Sequence, residues 1–223
     1  MVSFCICPHV CAVAAAGMHQ VINGNFDWAY EEELAVSDGW RWSPDGQRLS
    51  YWQLHTTAVE WFALVDNTTA APYNTVSRYP YPKVGTANST ARIGVVSVLG
   101  GGTTWMELEP EGNGEHYLAR MEWAGPAELL VQRIPRKQVR NDLLLVDAAT
   151  GHATLLLTDQ DDAWVDACDT VQWLDDWAAF TWLSDRSGYR HIYRVSRDGE
   201  QLTDLVRPRL RPQGPLLQLS QLH

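Results

Sequence analysis

Phe26-Asp27-Trp28-Ala29-Tyr30-Glu31-Glu32-Glu33-Leu34 sets three consecutive carboxylates among aromatic rings. Like charges in sequence repel, and an ordinary sheet has no reason to put them beside rings. On a helical turn, consecutive side chains splay by about 100°. Neighbouring acids therefore converge on one small cation only where the surrounding fold directs them. If they converge, the natural ligand is a primary ammonium, whose three donors can be shared between two carboxylates. Such a site needs retained negative charge, whereas a general acid would need a raised pKa. The same residues also read as a solvated acidic turn, or as a helix's first turn, where acids favour the dipole. On these residues alone both readings stay open.

Other candidate chemistry is thinner. Asp159, Asp161, Asp162, Asp166 and Asp169 form an acidic stretch without the Gly and terminal Glu of a calcium loop, and read as a solvated loop. Gly100-Gly101-Gly102 lacks a following Lys-Ser/Thr, so it is a turn and not a phosphate cradle. No Gly-x-Ser-x-Gly elbow occurs, and no His-Glu-x-x-His pair. Cys5, Cys7 and Cys11 crowd the first residues while Cys168 stands alone, which suits neither a disulfide framework nor a zinc finger. No metal or cofactor is expected. Asn67-Thr68-Thr69 and Asn88-Ser89-Thr90 match the glycosylation pattern, which has meaning only in a secreted eukaryotic protein.

The elements that must carry these residues read as strands. From Asn23 to Gly199, short apolar runs are broken by turn residues at all-β spacing. Pro44-Asp45-Gly46 is a turn in which Pro fixes φ and Gly supplies φ > 0, followed by alternating Arg48–Trp52. Arg92–Val98 and Thr103–Glu109 flank the glycine run as a hairpin. Glu128–Ile134, Asp142–Asp147, His152–Thr158, Ala178–Leu183 and His191–Ser196 continue the series. Trp42, Trp123 and Trp173 stand at equivalent places before successive hairpins, which predicts β-propeller blades with a β-sandwich as the alternative. In a propeller, rings at that position could fill the wedge between blades, which would account for 11 tryptophans in 223 residues. The net charge of −10 argues against non-specific binding of nucleic acid or anionic membranes. No apolar run is long enough to suggest a membrane helix, and Val10–Met18 lacks the positive flank of a signal peptide.

Asp27-Trp28-Ala29-Tyr30-Glu31-Glu32-Glu33-Leu34 followed by Trp42-Ser43-Pro44-Asp45-Gly46 resembles the propeller domain of the dipeptidyl peptidase IV family, within the prolyl oligopeptidase clan. Colinear matches follow: Arg78-Tyr79-Pro80-Tyr81-Pro82-Lys83-Val84-Gly85 with Asn88, then His116-Tyr117, Asp162-Ala163-Trp164-Val165 and Gly188-Tyr189-Arg190-His191-Ile192-Tyr193. The likeness runs from about Val21 to Leu202 and is similar to bacterial members. It implies a partial, all-β propeller of about three to four four-stranded antiparallel blades, with a short helical insertion near residues 28–34. It implies a serine exopeptidase family that releases N-terminal dipeptides with Pro or Ala second. In that family two adjacent glutamates hold the substrate's N-terminal ammonium; they map to Glu32 and Glu33, with Trp28 and Tyr30 as packing supports. The catalytic Ser, Asp and His belong to an α/β-hydrolase domain, a partner this chain would need. The chain alone is expected to be inactive, and intact homologues to be homodimers, periplasmic or secreted in bacteria. The expected organisation is an atypical segment over 1–20, the partial propeller over 21–203 and an aberrant tail over 204–223. A non-catalytic propeller binding module, or an inactive peptidase homologue acting through protein contacts, is the alternative.

Overall fold

The computed structural model of the chain describes residues 20–108 and 115–205. The three-cysteine segment and the tail from 206 onward lie outside the described residues. The described residues divide into two compact units, with the boundary between Asp169 and Thr170.

The first unit begins with a strand broken in two. β1 (Val21–Asn23) is followed by helix α1 (Trp28–Leu34) and then β2 (Trp40–Trp42). At the turn, the Gly46 amide donates to the Ser43 carbonyl at 2.8 Å with Gly46 at φ 67°, and the Ser43 hydroxyl donates to Asp45 at 2.6 Å. That turn folds β2 onto β3 (Arg48–His55). β1 and β2 both pair with β3, against residues 53–55 and 49–51 respectively, so together they fill one strand position.

An exposed hairpin, β4 (Trp61–Asp66) and β5 (Thr75–Pro80), leaves after β3. The chain returns as β6 (Thr90–Ser97), pairing with all of β3, and turns at Gly100–Gly102 into β7 (Thr104–Trp105). Thus the first blade has five strands in four positions. β8 (His116–Trp123), β9 (Glu128–Pro135), β10 (Arg140–Asp147) and β11 (Ala153–Gln160) form the second blade, a simple meander.

Period-two alternation decides which faces meet. Trp52 and Leu54 of β3 share a face with Ile93 and Ala91 of β6, and pack on Leu118, Met121, Leu129 and Val131 of the second blade. The opposite face of the first blade carries Leu49, Tyr51 and Val96 with Trp40 and Trp105. Trp105 lies over Gly94, where a Cβ would come within 2.8 Å of its ring. Two indoles tie the blades together: Trp52 Nε1 donates to the Leu118 carbonyl at 2.9 Å and Trp123 Nε1 to the Arg41 carbonyl at 3.1 Å. The expectation of one wedge-filling tryptophan position holds only in part. Trp123 is buried, but its counterpart Trp42 is 40% exposed, and the ring packed deepest between the blades is Trp52, from mid-strand.

The second unit is one blade, the meander β12 (Trp173–Leu174), β13 (Ala179–Ser184), β14 (His191–Ser196) and β15 (Leu202–Asp204). Phe180, Trp182, Tyr193 and Val195 are buried in it. The β12–β13 turn holds three successive non-glycine residues in left-handed conformation, Asp175, Asp176 and Trp177. Among the described residues the architecture is therefore all-β, a partial propeller of three blades with one short helical insertion, as the family resemblance implied. Among the described residues no helix is long and apolar enough to cross a membrane.

Candidate functional site

Helix α1 leaves the first blade through a narrow neck. The Gly24 amide donates to the Trp52 carbonyl at 2.9 Å, the Trp52 amide to the Gly39 carbonyl at 3.0 Å, and the Gly39 amide to the Gly24 carbonyl at 3.3 Å. Both ends of the excursion thus meet β3 at one residue. A Cβ on Gly39 would sit 2.6 Å from the Gly24 carbonyl carbon and 2.7 Å from the Asn25 nitrogen, so only glycine fits. Gly24 turns the chain outward with φ 64°.

The helix starts because Asp27 caps it: its Oδ1 accepts the Tyr30 amide at 3.1 Å, and its carbonyl accepts the Glu31 amide at 3.1 Å. It stops after seven residues, where Ala35 adopts φ 52° and the Val36 amide returns to the Tyr30 carbonyl. A helix this short has little stability of its own and depends on tertiary packing. Ala29, Tyr30 and Leu34 supply that packing. The Tyr30 ring stacks on Phe26 at 5.3 Å and meets Tyr117 edge-on at 5.8 Å. Its hydroxyl accepts the Leu118 amide of the second blade at 3.1 Å, and burial pushes the phenol well above its ordinary pKa. Trp28 is half-buried against Tyr81, with ring centroids 4.1 Å apart.

Glu31, Glu32 and Glu33 all point into solvent. Only Glu31 lies in the first turn, so the dipole reading reaches one of the three. None of the three side chains has an ion-pair or hydrogen-bond partner among the described residues. Other acids of the same unit are engaged: Glu122 and Asp38 by Arg41, Glu115 by Arg136, Asp142 by Arg133 and Arg140. The helix therefore presents a cluster of free negative charge on a firmly anchored base. Such an arrangement can attract and orient a small cation with several donors.

Of the acidic stretch read as a solvated loop, Asp159 instead lies buried within β11, and Asp161, Asp166 and Asp169 have structural employment. Asp161 accepts the Ala163 and Trp164 amides, Asp166 accepts the Trp164 indole N–H at 2.9 Å, and Asp169 pairs with Arg120 of β8. Cys168 is buried, its amide and carbonyl bonded to the side chain of Gln132. Asn67 is exposed at the hairpin loop, whereas Asn88 is half-buried and donates to the Tyr117 hydroxyl at 2.7 Å. Among the described residues no group of three or more His, Cys, Asp or Glu is arranged to hold a metal ion. Reading the sequence alone missed Asp27 and its buried partner Ser89, which donates to Asp27 Oδ2 from 62 residues away. The one signal for it was an Asp standing directly before the first helical residue.

Residues 8–213 match the family described as the dipeptidyl peptidase IV (DPP IV) N-terminal region. The chain is 33% identical over 150 residues to mouse (Mus musculus) inactive dipeptidyl peptidase 10, covering 65% of this chain and 18% of that one. It is 29% identical over 213 residues to cat (Felis catus) dipeptidyl peptidase 4, covering 84% and 27%. The crystal structure of Porphyromonas gingivalis dipeptidyl peptidase 4 superposes with a TM-score of 0.76 at 24% identity, over 88% of this chain and 28% of that one. The chain thus spans about a fifth to a quarter of the length of the curated relatives it matches. With several colinear motifs, three blades and a family match over most of its length, the chain belongs to the dipeptidyl peptidase IV N-terminal region family.

Proposed function

We propose that Glu32 and Glu33 hold the N-terminal ammonium of a peptide, and that the chain is the substrate-gating propeller part of a serine-type dipeptidyl peptidase. In this reading the carboxylate pair fixes where the peptide begins, so the scissile bond falls two residues further on. X-Pro and X-Ala dipeptides would be the products. Acyl transfer needs a nucleophile, a base and oxyanion donors, which the α/β-hydrolase domain of such an enzyme supplies. The observation that carries the reading is the free carboxylate pair on a helix whose apolar side chains are all anchored. Trp28 and Tyr30 serve as packing supports, through Tyr81 and Leu118.

The test is Glu32→Gln with Glu33→Gln, built into a complete peptidase of the family. Each charge-assisted hydrogen bond contributes about 1.5–3 kcal/mol, so kcat/KM should fall by about tenfold or more per carboxylate. Unchanged dipeptide release removes the assignment. On this chain, titration with Ala-Pro-Ala and with its N-acetylated form should show binding of the free amine alone. A second reading is favoured by the likeness to an inactive dipeptidyl peptidase: a non-catalytic propeller that acts through protein contacts. Equal binding of the free and acetylated tripeptides would favour that one.

A further inference from the structure

Beside the packing of Tyr30 on Phe26 and the second blade, α1 is held by contacts from one further segment, the return path of the β4–β5 hairpin. At its start, Tyr81 packs against Trp28. In its middle, the Thr86 carbonyl accepts Arg136 Nη1 at 2.6 Å, and Arg136 also pairs with Glu115 just before β8, which fixes the segment to the second blade. At its end, two consecutive residues reach the helix by separate routes. Ser89 donates its hydroxyl to Asp27, the residue that caps α1, and both are buried. Asn88 donates to the Tyr117 hydroxyl, and the Tyr117 ring packs edge-on against Tyr30.

We infer that Asn88 and Ser89 are positioning residues for Glu32 and Glu33; the inference rests on the ammonium reading of that pair. Two carboxylates that share one ammonium must keep their separation to within about 0.5 Å, and their own side chains bond to nothing that would fix them. The backbone beneath them must therefore be fixed. A seven-residue helix cannot do this alone. Asp27 has two carboxylate oxygens, one turned to the Tyr30 amide and the other to Ser89. Without the Ser89 hydroxyl the second oxygen is a buried acceptor with an unmet bond, and the cap that holds the first turn loosens. Asn88 acts one ring further away, by setting the face that Tyr117 offers to Tyr30. The Asn-Ser-Thr pattern at 88–90 is thus explained by contacts within the fold, with the Asn88 amide already engaged.

The test compares wild type, Ser89→Ala, Ser89→Thr and Asn88→Ala in the full chain, using amide exchange and titration with Ala-Pro-Ala. In Ser89→Ala, exchange at the Tyr30 and Glu31 amides should quicken about ten- to a hundredfold, while the Leu130 and Val146 amides of the second blade stay within about twofold. Affinity for Ala-Pro-Ala should drop several-fold, and Ser89→Thr, which keeps the hydroxyl, should recover both. Asn88→Ala should give the same pattern more weakly. Equal quickening at all four amides overturns the inference, because it marks a general stabilising role. So does a local quickening that leaves the affinity untouched. If wild type ignores the tripeptide, the ammonium reading falls whatever the exchange does. If wild type binds and every variant binds equally, that reading stands and the positioning role falls.

Discussion

Tyr30→Phe removes one oxygen from the centre of the first unit and changes little else. The ring is 1% exposed and keeps its contacts with Phe26 and Tyr117, so the packing contribution survives. The loss is the acceptor for the Leu118 amide at 3.1 Å. Leu118 sits where the β8–β9 register shifts, and its carbonyl is already engaged by the Trp52 indole. No neighbouring strand group stands ready to replace the phenol. A buried unpaired N–H costs about 1–3 kcal/mol. In a chain of this size each kcal/mol moves Tm by about 2–4 °C, so the midpoint should fall by about 2–12 °C. Thermal unfolding followed by near-ultraviolet circular dichroism checks this, with Tyr73→Phe as a control at an 86% exposed ring that should not move. The effect also carries a pH signature. Because burial raises the Tyr30 phenol above its ordinary value near 10, the unfolded chain ionises first. The stability held by the neutral phenol is complete below pH 10 and is lost as pH rises above it, so the gap between wild type and variant should narrow there. A Tm within one degree of wild type at neutral pH, or a gap that ignores alkaline pH, would falsify this account of the anchor.

Two further substitutions test the backbone, one at the neck that carries the helix and one in the second unit. Gly39→Ala drives a methyl into the backbone of Gly24 and Asn25, which cannot yield as a side chain could; a loss of about 1–3 kcal/mol or more is expected, with faster amide exchange across α1. Asp176→Gly relieves a left-handed φ of 53° at an exposed position, and should raise the midpoint of the second unit by an amount equivalent to about 0.5–1 kcal/mol in calorimetry. A lowered midpoint would mean that the Asp176 side chain does something its exposure hides.

The blades were legible wherever local chemistry decides local structure. Pro44-Asp45-Gly46 and the glycine run at 100–102 mark turns that the structure contains, and the alternating Arg48–Trp52 and the short apolar runs after it are β3, β6, β9, β10 and β11. The β4–β5 hairpin was not legible. Most of its residues are exposed, so no buried face imposes a period on Trp61–Asp66. The edge strand of the first blade was legible only in its second half, Trp40–Trp42, because its halves are three residues each and only their shared partner β3 makes them one. At the site, the helix bounds and the acidic triplet could be read from the chain and its family likeness. Trp28 and Tyr30 were expected as supports from that likeness, but the partners of the support could not be read, because Asp27 meets Ser89, and Tyr30 meets Leu118, across 62 and 88 residues. Contacts of that span leave no mark on spacing. The tryptophans teach the same lesson. Their repeat was visible in the sequence, but which rings enter the wedge depends on strand register, and it put Trp52 there while leaving Trp42 half out.

The neck at Gly24 and Gly39 has an evolutionary corollary. Asn23 faces Gln53 and Trp40 faces Tyr51, so a plain strand would need one residue opposite Trp52, where this chain has residues 24–39. The acidic helix is therefore an insertion at a single strand position, with its buried face packed into the core. A lineage could change its exposed acidic face without shifting the register of any strand, provided Phe26, Tyr30 and Leu34 keep their place in the core. Recognition chemistry at this position can diverge while the scaffold beneath it stays put.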